Sequence, residues 1–298
     1  MTVVICCEPI RLCFSDHYEA FARLWMPDEP RGAVLYLHGI QSHGLWFEAS
    51  AKRLAESGLA VLLPDRRGSG RNDIDRGHAP SARRLLRDAS ECLDELSVRT
   101  GLGRFHVLGV SWGGKLALAM LRTCAKRMAS LTLVAPGLFP RVDLPLAQKV
   151  RVSMAALASR RSLFDIPLGD AALFTGNPER QQFIRDDVLS LRQVTTSFLL
   201  ASRRLDRHAQ AAAKKPSGCP LRMFLAGRDR IIDNRKSKAF VRRLQWPRRE
   251  ITEYENAHHT LEFELHPEPF FSDLAAWLAM RVEADASSAR SEPPIPTS

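Results

Sequence analysis

The segment from Phe105 to Cys124 restricts the possible folds of this chain more than any other stretch. A short apolar run, FHVLG, leads into Val110-Ser111-Trp112-Gly113-Gly114 and then into KLALAMLRTC, whose apolar residues recur at helical spacing. The pattern is strand, sharp turn, helix, with Gly109-x-Ser111-x-Gly113 at the bend. A serine there is held in a strained backbone conformation that lifts its hydroxyl above the strand end. Residues two before and two after it must be small, because strand and helix nearly touch, and Gly109 and Gly113 meet that need. The helix after Ser111 aims its first N–H groups and its positive dipole end at the place where an oxyanion would form. The segment predicts a nucleophile elbow and serine-based acyl chemistry.

Around this elbow the chain alternates short apolar runs with amphipathic helical periods. Strands are predicted at 33–37, 59–63, 105–108, 131–135, 221–226 and 250–254, after one or two antiparallel edge strands near 18–25. Helices are predicted at 47–57, 81–100, 112–126, 236–244 and 268–282. Continuous apolar strands separated by helices imply an α/β protein with a doubly wound, mostly parallel sheet covered on both faces. From Phe139 to Pro216 the alternation stops and no strand is evident. Helical periods at 146–159, 178–191 and 195–213 are punctuated by Pro145, Pro167, Gly169, Gly176 and Pro178. This predicts an inserted helical cap over the carboxyl edge of the sheet, where ligands of open α/β sheets bind. The expected organisation is a first part of the core at 1–138, the cap at 139–218, a second part of the core at 219–284 and a disordered tail at 285–298.

Composition excludes several classes. The chain has 298 residues, 45% hydrophobic and 26% charged, which suits a globule with a sizeable core. No run approaches the roughly 18 apolar residues of a membrane span. The N-terminal MTVVICCEPI lacks a basic flank and a long apolar run, so a cytoplasmic protein is expected. The six cysteines are scattered without CxxC or Cys/His spacing, which predicts free thiols and neither a metal site nor a disulfide framework. The net charge of +10 is diffuse, although residues 141–217 hold 13 Lys and Arg against 7 Asp and Glu. Solvated surface arginines account for it, with attraction of anionic substrates or peripheral contact with an anionic membrane as the sharper alternative. The basic clusters lack interleaved stacking aromatics, so nucleic acid is not an expected partner. The turn from Pro64 to Gly70 lacks Walker spacing, and no GxGxxG follows the first parallel strand. No cofactor is therefore expected.

A serine nucleophile needs a base, an acid to orient the base, and donors for the oxyanion. Strand 221–226 ends in Gly227-Arg228-Asp229, and strand 250–254 is followed by Glu255-Asn256-Ala257-His258-His259-Thr260. The chain order Ser111, Asp229, His259 is that of α/β-hydrolases. Asp233 competes with Asp229 and reads as a helix N-cap. His258 competes with His259, which motif register favours. Strand 33–37 runs into His38-Gly39-Ile40-Gln41-Ser42-His43-Gly44, where the Ile40 N–H, with that of Trp112, would form a two-donor oxyanion hole. His38 and His43 are expected to hydrogen-bond within that loop and hold its shape.

With these residues assembled, the chain resembles the α/β-hydrolases of the serine aminopeptidase and monoacylglycerol lipase-like group. The matching features are His38-Gly39-x-x-x-His43, Asp65-x-Arg67-Gly68-x-Gly70, the elbow at Gly109 to Gly114, Gly227-Arg228-Asp229-Arg230-Ile231-Ile232-Asp233, and Tyr254-Glu255-Asn256-Ala257-His258-His259. The resemblance implies Ser111 as nucleophile, Asp229 as acid, His259 as base, and a helical lid between the sixth and seventh strands. Val110 and Trp112 depart from lipase-like relatives, which often carry His and Met there. The Ser-Trp-Gly elbow is closer to proline iminopeptidase-like members.

The leading expectation is a carboxylic-ester hydrolase acting on a medium-chain acyl ester or a monoacylglycerol-like substrate, with Leu163, Phe164, Phe174, Phe183 and Phe198 available to line an apolar pocket. Each of those aromatics is individually better placed as cap core. An aminopeptidase would instead need carboxylates in the cap to hold the substrate amine, with Glu179, Asp186 and Asp187 as candidates. A ligand-binding protein without turnover would lack a member of the triad, and none is missing here. Composition and spacing leave the oligomeric state open.

Overall fold

In a computed structural model, residues 5–291 are described. The elements in chain order are β1 (Cys7–Cys13), β2 (Glu19–Trp25), β3 (Gly32–Leu37), α1 (Glu48–Glu56), β4 (Leu59–Pro64), α2 (Ala82–Thr100), β5 (Phe105–Val110), α3 (Trp112–Met120) and β6 (Met128–Val134). They continue with α4 (Leu146–Ala158), β7 (Leu163–Asp165), α5 (Pro178–Asp186), β8 (Gln193–Thr195), α6 (Thr196–Ala213), β9 (Leu221–Ala226), α7 (Asn234–Arg242), β10 (Arg249–Tyr254) and α8 (Glu268–Ser291). Every residue of β3, β4, β5 and β6 is buried, as expected of strands covered by helices on both faces.

The main sheet runs β1-β2-β4-β3-β5-β6-β9-β10. β1 and β2 pair antiparallel at one edge, β2 meets β4 antiparallel, and all later neighbours are parallel. This is the doubly wound sheet expected from the alternation, an α/β-hydrolase fold with segments inserted between β6 and β9. Strand order reverses on either side of β3, so the loops after β3 and β5 flank a crevice at the carboxyl edge.

Three local expectations are corrected. The cap contains strands: β7 and β8 pair antiparallel over three residues each, too short for alternation to register in the sequence. Helix α3 stops at Met120 and not near Lys126. The N–H groups of Arg122 and Thr123 bond the carbonyls of Ala119 and Met120, tightening the chain into i→i+3 turns with no glycine or proline to mark the stop. Helix α8 runs through Ser291, beyond the predicted end at 282 and into the stretch assigned to a tail. Positions 292–298 of that expected tail lie outside the described residues.

Candidate active site

Ser111 follows β5 with φ 51° and ψ −119°, a strained conformation for a residue with a side chain. Its N–H bonds the Val134 carbonyl, and its own carbonyl accepts from Gly114 and Gly137, so the bend is tied down on both sides. The neighbouring glycines are required by space. A Cβ on Gly113 would lie 2.2 Å from the Leu37 carbonyl oxygen, and one on Gly109 would lie 2.5 Å from that of Gly113.

The loops after β9 and β10 bring two more side chains to this point. His259 Nε2 lies 2.9 Å from Ser111 Oγ, and His259 Nδ1 lies 2.7 Å from Asp229 Oδ2. The other carboxylate oxygen, Asp229 Oδ1, accepts from the N–H groups of Ile231 (2.8 Å) and Ile232 (3.0 Å). Asp229 and His259 are 5% and 2% exposed, which screens their pairing from water. The Phe174 ring packs edge-on against the imidazole at 6.0 Å, so the cap shields one side of it. His258 turns away: its Nδ1 and its backbone N–H both meet Glu264 Oε1. Asp233 caps α7, accepting from Lys236 N–H.

Trp112 opens α3, so its N–H is among those with no intrahelical acceptor. Ile40 belongs to a loop pinned from outside. Arg66 donates from Nη1 to Gly39 O (2.8 Å) and from Nη2 to Ile40 O (2.9 Å), while Gly39 N–H donates to Ser42 Oγ. The Arg66 guanidinium also stands 4.7 Å from the Trp112 ring centroid and 5.1 Å from that of Phe198. Burial lowers the Arg66 pKa to about 9, which still leaves it a cation at neutral pH. The segment Pro64 to Gly70 predicts a structured turn but not this role of Arg66. No local pattern carries it, because its acceptors lie 26 and 27 residues away.

The two loop histidines act differently from each other. His38 Nδ1 bonds Gly39 O, and its Nε2 accepts from the Arg66 N–H. Burial, reinforced by nearby Arg66, holds its pKa well below the ordinary histidine value, so it stays neutral. His43 does not stay within the loop; its Nε2 reaches 2.9 Å to Asp187 Oδ2 in the cap. Trp46 Nε1 and Ser190 Oγ converge on the same carboxylate oxygen at 2.7 Å each. Burial alone would raise the Asp187 pKa, but these donors outweigh it and hold the carboxyl below the usual range.

A cavity of about 340 Å³ opens beside Ser111, walled by Ile40, Trp112, Gly137 and cap residues. Its apolar wall comes from Val142, Leu144, Val152, Ile166, Leu168 and Val194, with Ile231 and Ile232 from the core. The residues available for an apolar lining do not supply it, and the aromatics pack as core, the better placement for each. Phe174 and Phe183 pack on Trp46, Phe198 stacks on Trp112, Phe164 is buried elsewhere and Leu163 faces solvent. Of the carboxylates considered for an amine site, Asp187 is consumed by His43 and Trp46, Asp186 pairs with Gln182, and Glu179 sits on the first turn of α5 away from the cavity wall. No cluster of three or more metal-ligating side chains occurs among the described residues, and no helix among them is long and apolar enough to cross a membrane.

Glu262, just beyond His259, is buried and accepts from Ser50 N–H (2.9 Å) and Ser50 Oγ (2.6 Å), tying the histidine loop to α1. Burial raises its pKa to about 7 despite those donors. A carboxyl with a raised folded-state pKa stabilises the fold most below its unfolded value near 4.3, and that contribution is lost as pH rises through 7. Glu262→Gln is therefore expected to gain roughly 2–3 kcal/mol on the wild type between pH 5 and pH 8, read by urea unfolding at both pH values. A stability difference independent of pH would contradict this.

The family model described as "Serine aminopeptidase, S33" matches residues 28–266. The chain is 25% identical over 246 residues to "Uncharacterized protein YnbC" of Escherichia coli K12, covering 80% of this chain. It spans 41% and 29% of the lengths of the first two curated relatives, which are longer proteins. It is 23% identical to "Monoglyceride lipase" of Homo sapiens, covering 94% of this chain and 92% of that protein. The solved structure of Paleococcus ferrophilus monoacylglycerol lipase superposes with a TM-score of 0.80 at 19% identity, covering 88% of this chain and 99% of that one, a likeness of fold. On the family match, which takes in both parts of the core and the whole insertion, the chain belongs to the serine aminopeptidase S33 family of serine hydrolases within the α/β-hydrolase superfamily.

Proposed function

We propose that the protein is a carboxylic-ester hydrolase that works through an acyl-enzyme on Ser111. The observation that carries this reading is the hydrogen-bonded chain Ser111–His259–Asp229 at the mouth of a mainly apolar cavity. His259 takes the Ser111 proton as Oγ attacks the acyl carbonyl, and returns it to the departing alcohol. Asp229 holds the imidazole in the tautomer with its proton on Nδ1 and stabilises the imidazolium that forms. The N–H groups of Ile40 and Trp112 receive the tetrahedral oxyanion, and Arg66 keeps the Ile40 loop in place for it. Water, deprotonated by His259, then releases the acid. The chemistry draws on side chains and backbone donors alone.

The apolar wall favours a medium-chain acyl group, and the likeness to monoglyceride lipase along nearly the full length of both chains supports a monoacylglycerol-like ester. Aminopeptidase action is less well served, because Glu179, Asp186 and Asp187 do not line the cavity, and the carboxylates that do, Asp143, Asp165 and Asp206, face Lys149, Gln193 and Lys115. A panel of p-nitrophenyl esters of graded acyl length, run beside aminoacyl p-nitroanilides, tests the reading. Ester turnover peaking at intermediate chain length is expected; faster cleavage of the amides would overturn it.

A further inference from the structure

The cavity has polar as well as apolar lining, and α6 supplies part of it. Leu199, Ser202, Arg203 and Asp206, at helical spacing, all line the cavity. Opposite them on α3 is Lys115, only 7% exposed, whose Nζ lies 2.6 Å from Asp206 Oδ1. The nearby Lys149 and Asp143 are paired in the same way, so the wall as a whole carries little net charge.

The hydrogen bonding of Ser202 is incomplete in an informative way. Its Oγ accepts from the Trp112 indole Nε1 at 2.9 Å and stands 3.5 Å from Lys115 Nζ, so both lone pairs face donors. A hydroxyl has one proton to give in addition. Among the described residues nothing accepts it, and the back-bond to a carbonyl one turn earlier that serines often make within helices is not formed. The proton therefore belongs to the cavity. One turn along, the buried Asp206 Oδ1 faces Lys115 Nζ but makes no hydrogen bond among the described residues.

We propose that Ser202 and Asp206 form a donor–acceptor pair that binds a hydroxyl group of the substrate, so that the enzyme prefers hydroxyl-bearing esters to plain ones. A hydroxyl accepts from Ser202 and donates to Asp206, and so satisfies both. A carboxylate has no proton to give Asp206, and an alkyl group would leave the Ser202 proton without an acceptor. Trp112 links this subsite to the chemistry, since its side chain is held by Ser202 and its backbone N–H is one of the two proposed oxyanion donors. The departure from lipase-like relatives at position 112 thus places an indole where it can anchor a specificity residue.

This inference rests on the ester-hydrolase reading, and the test separates the two. Two pairs of esters are compared by kcat/KM: ethyl octanoate against ethylene glycol monooctanoate, and ethyl octanoate against ethyl 8-hydroxyoctanoate. The first pair probes a hydroxyl on the alcohol and the second a hydroxyl on the acyl chain. A preference of about tenfold or more for the hydroxylated member of at least one pair is expected in the wild type. Ser202→Ala should bring that ratio close to one, while Ser202→Thr, which keeps the hydroxyl, should retain most of it. Each ratio is taken on one preparation, so it does not depend on how much of a variant folds. A wild-type ratio near one in both pairs, or an unchanged ratio in Ser202→Ala, overturns the subsite and leaves the esterase reading standing. No turnover of any ester overturns both.

Discussion

Ser111→Ala is expected to lower p-nitrophenyl ester turnover by roughly four to six orders of magnitude and to abolish labelling by a fluorophosphonate. The size follows from the geometry. With Oγ gone, His259 Nε2 loses its partner at 2.9 Å and no hydroxyl is left to form the acyl-enzyme, while the backbone donors and the cavity remain to give a residual rate. Folding should be little affected, because the turn depends on backbone bonds at Ser111 and on the glycines around it and not on the hydroxyl. Loss of activity with unchanged unfolding in urea is thus the expected pair of results. A variant that keeps more than about a tenth of the wild-type rate would remove Ser111 from the mechanism and require a different nucleophile.

Asp187→Ala carries the largest expected effect on stability, about 3 kcal/mol. The carboxylate joins the cap to the core by accepting from His43 and Trp46 of the segment after β3, as well as from Ser190 and the Leu189 N–H within the cap. Its removal strands an indole N–H and an imidazole in a buried setting, and each unmet group costs on the order of 1–3 kcal/mol. Because the folded-state pKa is depressed, this contribution is present above the unfolded value near 3.9 and is lost only as pH falls through the folded one. The gap between wild type and variant should hold from pH 5 upward and narrow in strong acid. Urea unfolding measures the loss, and faster hydrogen exchange at Asp187–Leu191 locates it. A change below about 0.5 kcal/mol, within the range of ordinary surface substitutions, would show that the cap is held by apolar packing alone.

What could be read ahead of the structure was local in its physics. The strand–turn–helix around Ser111 is written in a run of twenty residues, since the need for small neighbours and the shift from an apolar strand to helical spacing both act within that distance. The central strands are continuous apolar runs because both of their faces are covered, so their burial was visible residue by residue. Asp229 and His259 were singled out because each follows the end of a predicted strand, and parallel strands present those ends along one edge. The three-residue strands of the cap gave no comparable signal, and the early stop of α3 has no punctuating residue.

The layered α/β architecture, the elbow, and the residue types at the strand ends were legible in the sequence, because turn chemistry and hydrophobic period are properties of neighbouring residues. The three-dimensional packing alone set which partners His259 and His258 meet, that His43 binds the cap, that Arg66 braces the Ile40 loop, and that Ser202 and Asp206 rather than the cap phenylalanines line the cavity. The partners in these contacts lie from 6 to 148 residues apart in the chain. Their pairing is set by how the loops and the cap pack over the carboxyl edge, where buried polar groups must find partners wherever the packing places them.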